Sequence, residues 1–149
     1  MAVFDVSKGI AIGCDHAGFD YKTQLVLWLN AKGIQVHDFG VYENKSVDYP
    51  DYAHPTATAV EEGKAAFGIL LCGSANGVCM TANKHQGIRA GLSFMTDVAR
   101  LIRLHNDANI ICIPARFVSL ELAKEMIEIF MNTAFEGGRH QNRVNKIAC

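Results

Sequence analysis

The sequence predicts an α/β fold: a five-stranded parallel sheet with helices on both faces, then a C-terminal tail segment outside the sheet. Three observations predict it. Five short apolar runs recur along the chain, longer segments of helical spacing separate them, and polar residues gather just after several of the runs. Strands that are apolar on both faces belong to a parallel sheet covered on both sides. In such sheets ligands bind outside the carboxyl ends of the strands, near a topological switch point.

The elements follow in order. The first run, Ile10 to Cys14, is followed directly by Asp15-His16. Tyr21 to Ala31 places Leu25, Trp28 and Leu29 on one helical face, and Gly33 suits that helix's end. The second strand is Gln35 to Asp38. Asp48 to Tyr52 reads as a turn, with Tyr49 a candidate pocket residue, and a helix is expected over Thr56 to Lys64. The third strand, Phe67 to Cys72, runs into the small-residue loop Gly73 to Gly77 and a helix over Gly77 to Lys84. Ile88 to Leu92, a helix over Met95 to His105, and Asn109 to Ile113 complete the sheet, with Arg116 just beyond. Ser119 is placed to cap a last helix over Leu120 to Phe130. The tail, Glu136 to Arg143, has no role in the sheet. Its Arg139 and Arg143 share one face if the segment is helical.

Composition narrows the function classes. A chain of 149 residues fits one domain, residues 1–149, with enough material for a core. The net charge of −1 leaves no basic field for nucleic acid or an anionic membrane. An anionic partner must therefore be met by a few placed arginines. No apolar stretch reaches the about 20 residues of a membrane span. The N-terminal stretch has an acidic residue and no basic cluster before its apolar part, unlike a signal peptide. The five cysteines, Cys14, Cys72, Cys79, Cys112 and Cys149, form no CxxC pair, and three sit in or beside apolar runs. These features point to reduced thiols in a cytoplasmic protein, without a disulfide framework or zinc site.

Cys72-Gly73-Ser74-Ala75-Asn76-Gly77 has the makings of an oxyanion or phosphate cradle. Glycines permit close backbone approach, and successive N–H groups ahead of a helix favour negative charge. It lacks the Gly-Lys-Ser/Thr ending of a Walker loop and is not GxGxxG; a plain strand-to-helix turn accounts for it equally well. Cys72 is either a small buried hydrophobe or, beside a helix N-terminus, a thiol of lowered pKa. Asp15-His16 suits an N-cap as well as a site, and His105 suits a helix C-terminus. His37, His54 and His85 have no supporting neighbours and read as structural.

Taken together, these residues resemble the ribose-5-phosphate isomerase type B family, which also holds galactose-6-phosphate isomerase subunits. The resemblance runs nearly end to end. It is carried by Gly13 to Phe19, Asp48-Tyr49-Pro50, Cys72-Gly73-Ser74 with Gly77, Gly87 to Ala90, His105-Asn106-Asp107, and Glu136 to His140 with Arg143. It implies a Rossmann-like three-layer fold with a C-terminal tail helix. It also implies a homodimer or tetramer, a sugar-phosphate substrate, and neither cofactor nor metal. Cys72 matches the proton-shuttling cysteine of one branch; the glutamate used by the other branch falls at Val78 here. His105 matches the ring-opening residue. Asp15, His16, Tyr49, Asn106 and Arg116 match substrate positions, and Gly73, Ser74, Ala75, Asn76 and Gly77 the loop holding the reacting end of the sugar. His16, Arg116, Arg139 and Arg143 match phosphate contacts, with the tail arginines reaching the partner's site. Ala75 stands where the family has glycine, which is costly if the backbone there has positive φ.

The implied chemistry interconverts ribose 5-phosphate and ribulose 5-phosphate through an enediol(ate), with Cys72, His105, Ser74 and Asp15 as the catalytic set. One base beside C1 and C2 moves the proton, amide donors stabilise the developing oxyanion, and arginines hold the distant phosphate. A hexose 6-phosphate such as galactose or allose 6-phosphate is the alternative substrate. A non-catalytic sugar-phosphate-binding module is the alternative of another class.

Overall fold

The computed structural model describes residues 3–149. Five strands, β1 (Ile10–Cys14), β2 (Val36–Asp38), β3 (Gly68–Cys72), β4 (Ala90–Leu92) and β5 (Ile110–Pro114), form one sheet in the order β2-β1-β3-β5-β4. Every pairing is parallel, with Cys14 opposite Leu71 and Cys72 opposite Pro114. The chain leaves β1 toward β2 on one side and returns to β3 on the other. The switch point therefore lies between the carboxyl ends of β1 and β3, where a crevice is expected.

Helices α1 (Phe19–Ala31), α4 (Thr96–Leu104) and α5 (Leu120–Asn132) cover one face; α2 (Pro50–Glu61) and α3 (Asn76–Ala82) cover the other. Alternation along β3 divides the core. Ile69 and Leu71 pack under α1 and α5, while Leu70 and Cys72 point to the α2 and α3 side. Strands β1, β3 and β5 are buried at every position. The tail helix α6 (Arg139–Val144) lies outside the sheet and carries both tail arginines. No described helix is long and apolar enough to cross a membrane.

Local chemistry accounts for most boundaries. Helix α1 ends with Gly33 at φ +77°, its amide bonded to Asn30 and that of Ile34 to Leu29, a Schellman closure. The Ser119 side chain accepts a hydrogen bond from the Leu122 amide and starts α5. The expected turn over Asp48 to Tyr52 is corrected. Pro50 is the first residue of α2, where its fixed φ suits a helix start. Pro55 inside that helix leaves the Asp51 carbonyl without a partner at i+4, and Asp51 is exposed, so water can satisfy it. His54 and His85 also have neighbours: their rings bond each other at 2.9 Å, and His85 bonds Glu61 at 3.0 Å.

Candidate functional site

The crevice at the switch point is built by three strand ends. After β1, Asp15 accepts hydrogen bonds from the amides of Ala17 (2.9 Å) and Gly18 (3.3 Å), fixing a short 3-10 turn that presents His16. Asp15 is thus an N-cap that also faces the crevice. After β3 comes Cys72 and the loop to Gly77. After β5, the amides of Ala115 and Arg116 bond the carbonyls of Cys72 and Gly73, tying this loop to that of β3. These segments, with Tyr49 from the start of α2, enclose a cavity of about 380 Å³ lined by Asp15, His16, Cys72, Ser74 and Arg116 among others. That is within the size range of small-molecule sites.

Two glycines shape it. A Cβ on Gly77 would lie 2.6–2.8 Å from the Tyr49 ring, so only glycine lets that ring close over the loop. A Cβ on Gly73 would meet the Arg116 side chain at 3.1–3.2 Å. The guanidinium of Arg116 therefore lies against bare backbone. Among the described residues no carboxylate pairs with Arg116, Arg139 or Arg143. The Nδ1 atom of His16 is buried in the crevice wall without a hydrogen-bond partner among the described residues. An unpaired arginine and an unsatisfied imidazole suit an anion better than an apolar ligand.

Cys72 is only 5% exposed, yet it lines the cavity. Its Sγ accepts a hydrogen bond from the Ala75 amide at 3.1 Å. The lowered thiol pKa expected from the adjacent helix start is corrected. Burial pushes the Cys72 thiol up and outweighs the help from the Val78, Ala75 and Ser74 amides; the Asp15 carboxylate raises it further. The thiol is protonated in the free protein at neutral pH.

Ala75 adopts φ +61°, ψ 1°, the left-handed conformation that favours glycine. That costs an alanine about 1–2 kcal/mol. Two terms oppose it. Burying its methyl returns about 0.8 kcal/mol, and glycine would lose about 0.5–1 kcal/mol more on folding. The terms nearly cancel, which is why alanine is tolerated. Its methyl is fully buried rather than in the cavity. The Ala75 amide, turned by this conformation, is the one that reaches Cys72.

The remaining candidates lie elsewhere. Asn76 lines a neighbouring apolar groove with Phe94 and Phe117. His105, expected to open the sugar ring, is not at the crevice. It is the residue that closes α4, and α4 runs back from the carboxyl edge of the sheet to the amino edge. The five residues of β5 separate the edges by roughly 16 Å. Asn106 lines a different hollow there with Asn83 and Arg89. His105 instead stacks on His140 of α6, ring centroids 4.3 Å apart, near Arg143. The structure thus divides the expected set in two: Asp15, His16, Tyr49, Cys72, Gly73, Ser74, Gly77 and Arg116 at the carboxyl edge, and His105, Asn106, Arg139 and Arg143 at the amino edge. Phe117, 76% exposed at the cavity mouth, and His140 were not singled out from sequence. The signals were an aromatic beside Arg116 and the i,i+4 spacing of Glu136 and His140.

A model of the ribose/galactose isomerase family matches residues 10–147. The chain belongs to that family. It is 44% identical to the ribose-5-phosphate isomerase B of Escherichia coli over 140 residues, 94% of each chain. It is 42% identical to a probable ribose-5-phosphate isomerase B of Mycoplasma pneumoniae, covering 93% of this chain and 91% of the other. Among solved structures, the ribose 5-phosphate isomerase of Thermotoga maritima superposes with a TM-score of 0.92 at 46% identity, covering 94% and 97% of the two chains. The enzyme of Mycoplasma genitalium with bound ribulose-5-phosphate gives 0.89 at 38% identity, covering 93% of each. The expected family and α/β architecture are both borne out.

Two outcomes test the loop. Ala75→Gly leaves stability within about 1 kcal/mol by urea unfolding, whereas Ala75→Val, β-branched in a left-handed position, costs about 2–3 kcal/mol. Alkylation of Cys72 by iodoacetamide accelerates with pH through and beyond pH 9; a plateau reached by neutral pH contradicts the raised pKa.

Proposed function

We propose that the protein is a cofactor-independent aldose–ketose isomerase that interconverts ribose 5-phosphate and ribulose 5-phosphate, acting as one domain over residues 1–149 in the cytoplasm. The observation that carries the proposal is the crevice itself: the Cys72 thiol, the Ser74 hydroxyl, His16 and the unpaired Arg116 line one cavity at the switch point. The near full-length similarity to ribose-5-phosphate isomerases, one solved with ribulose-5-phosphate bound, selects the pentose phosphate over hexose 6-phosphates. A binding module would need the arginine but not the thiol.

Isomerisation moves a proton between C1 and C2. Cys72, held at the end of a central strand, is placed to take it and return it. Negative charge then builds on the sugar oxygens, where the Ser74 hydroxyl and the loop amides not directed at Cys72, those of Gly73 and Gly77, can stabilise it. The thiol must first lose its own proton. Since burial raises its pKa, the rate rises with pH on the alkaline side of neutral.

The other half of the site comes from a second chain. His105, Asn106, Arg139 and Arg143 lie at the amino edge and cannot reach Cys72 in their own chain. A twofold dimer that sets the amino edge of one protomer against the carboxyl edge of the other completes two equivalent sites. The partner's His105 opens the sugar ring, and the partner's Arg139 and Arg143 join His16 and Arg116 on the phosphate. Holding that distant group supplies binding energy for positioning the reacting carbons.

Assay of the purified protein across pentose 5-phosphates and hexose 6-phosphates, read as the ketose–aldose ratio, tests the reading. Ribose 5-phosphate is expected to be the best substrate; turnover of hexose phosphates alone overturns the pentose assignment. Cys72→Ser folds normally and loses about a hundredfold or more in kcat. Arg143→Ala mainly raises KM, by roughly ten- to a hundredfold, as loss of a charge-assisted hydrogen bond predicts. Near-normal turnover by Cys72→Ser excludes the shuttle.

A further inference from the structure

At the amino edge, three side chains that could ligate a metal face one another across α4, the α5–α6 connection and α6. His105, Glu136 and His140 each offer one ligand atom, all within 4.8 Å of one another. Glu136 Oε2 lies 3.8 Å from His105 Nε2 and 3.9 Å from His140 Nε2. These distances are too long for hydrogen bonds and somewhat longer than the about 3.4 Å that separates ligands of tetrahedral zinc.

His140 supplies the independent sign that something belongs there. Its side chain is 6% exposed, and its Nε2 atom is buried without a hydrogen-bond partner among the described residues. A buried, unsatisfied ring nitrogen costs free energy unless a ligand meets it. Its other nitrogen makes a long contact of 3.5 Å with Arg143. His105 and Glu136 are 38% and 55% exposed and have room to turn. The two rings now lie parallel, within 11°, so the His105 ring must rotate for both lone pairs to converge.

We propose that His105, Glu136 and His140 form a binding site for a transition-metal dication, zinc foremost, whose occupancy inhibits the enzyme by engaging the ring-opening histidine. Two imidazoles and one carboxylate, with a fourth position open to water, are a zinc-type ligand set. Magnesium and calcium prefer all-oxygen ligands and are excluded by the same chemistry. The metal is an inhibitor here, not a cofactor: coordination consumes the lone pair that His105 needs for acid–base work. Binding follows from the cluster alone. The inhibitory consequence rests on the isomerase reading, so binding and turnover are measured separately.

The full-length protein, stripped with EDTA, is titrated with Zn²⁺ against a chromophoric chelator, and with Co²⁺ followed by visible ligand-field absorption. One tight site per chain is expected in the wild type and, undiminished, in Cys72→Ser. Glu136→Gln and His140→Gln each weaken it at least about tenfold. Glu136 is exposed, so its variant is not expected to disturb folding, and thermal melts verify that for both. Zn²⁺ slows isomerisation by the wild type, and Glu136→Gln needs at least about tenfold more zinc for equal inhibition. Tight binding that survives both Glu136→Gln and His140→Gln, or that is lost in Cys72→Ser, overturns the proposal. A protein without isomerase activity that still binds zinc through these residues contradicts the isomerase reading and leaves the metal site standing.

Discussion

A parallel sheet buried on both faces offers chemistry only at its two edges, and that constraint governs this protein. Strands β1, β3 and β5 are buried along their whole length, and only Cys72, at the very end of β3, also faces the cavity among the described residues of these strands. Functional groups must therefore sit where the strands stop. The parallel arrangement makes the two edges different. The carboxyl edge ends in loops that lead into helices, and it gathers the thiol, the N-cap aspartate and Arg116. The amino edge receives the ends of α4 and α5, and it gathers His105, Glu136 and the tail helix.

At the carboxyl edge the thiol is caught between two opposing influences. Burial disfavours its charged form; three backbone amides favour it, and burial wins in the free protein. The Ala75 backbone is what aims one of those amides. Its left-handed conformation is strained for alanine, and the strain sits directly beside the proposed proton shuttle. A stiff strand below and a strained turn above leave Cys72 little freedom to move, which suits a base that must serve two neighbouring carbons in turn.

Much of this was legible in the sequence, for identifiable reasons. The boundaries of β1 are those read from its apolar run, and the other central strands differ by a residue, because core strands of a parallel sheet are continuous apolar segments. The start of α2 was not legible. A proline within a helix removes a hydrogen bond, and only the structure shows that Pro55 does so on an exposed stretch of α2. The rise in the Cys72 pKa was hidden too, since a helix start is visible in sequence but the depth of the thiol is not. The division of the site was in part available. A helix that follows one parallel strand and precedes the next must end at the amino edge, so a residue closing α4 could not share an edge with one closing β3.

That division places the central claim in the pairing of two chains, and subunit mixing tests it most directly. Cys72→Ser and His105→Asn proteins, each inactive alone, are unfolded together, refolded and assayed with ribose 5-phosphate. If each site takes Cys72 from one chain and His105 from the other, every mixed dimer holds one intact site, and activity returns to about a quarter of wild type. If both residues act within one chain, every site in every dimer carries a defect, and the mixture stays as inactive as its components.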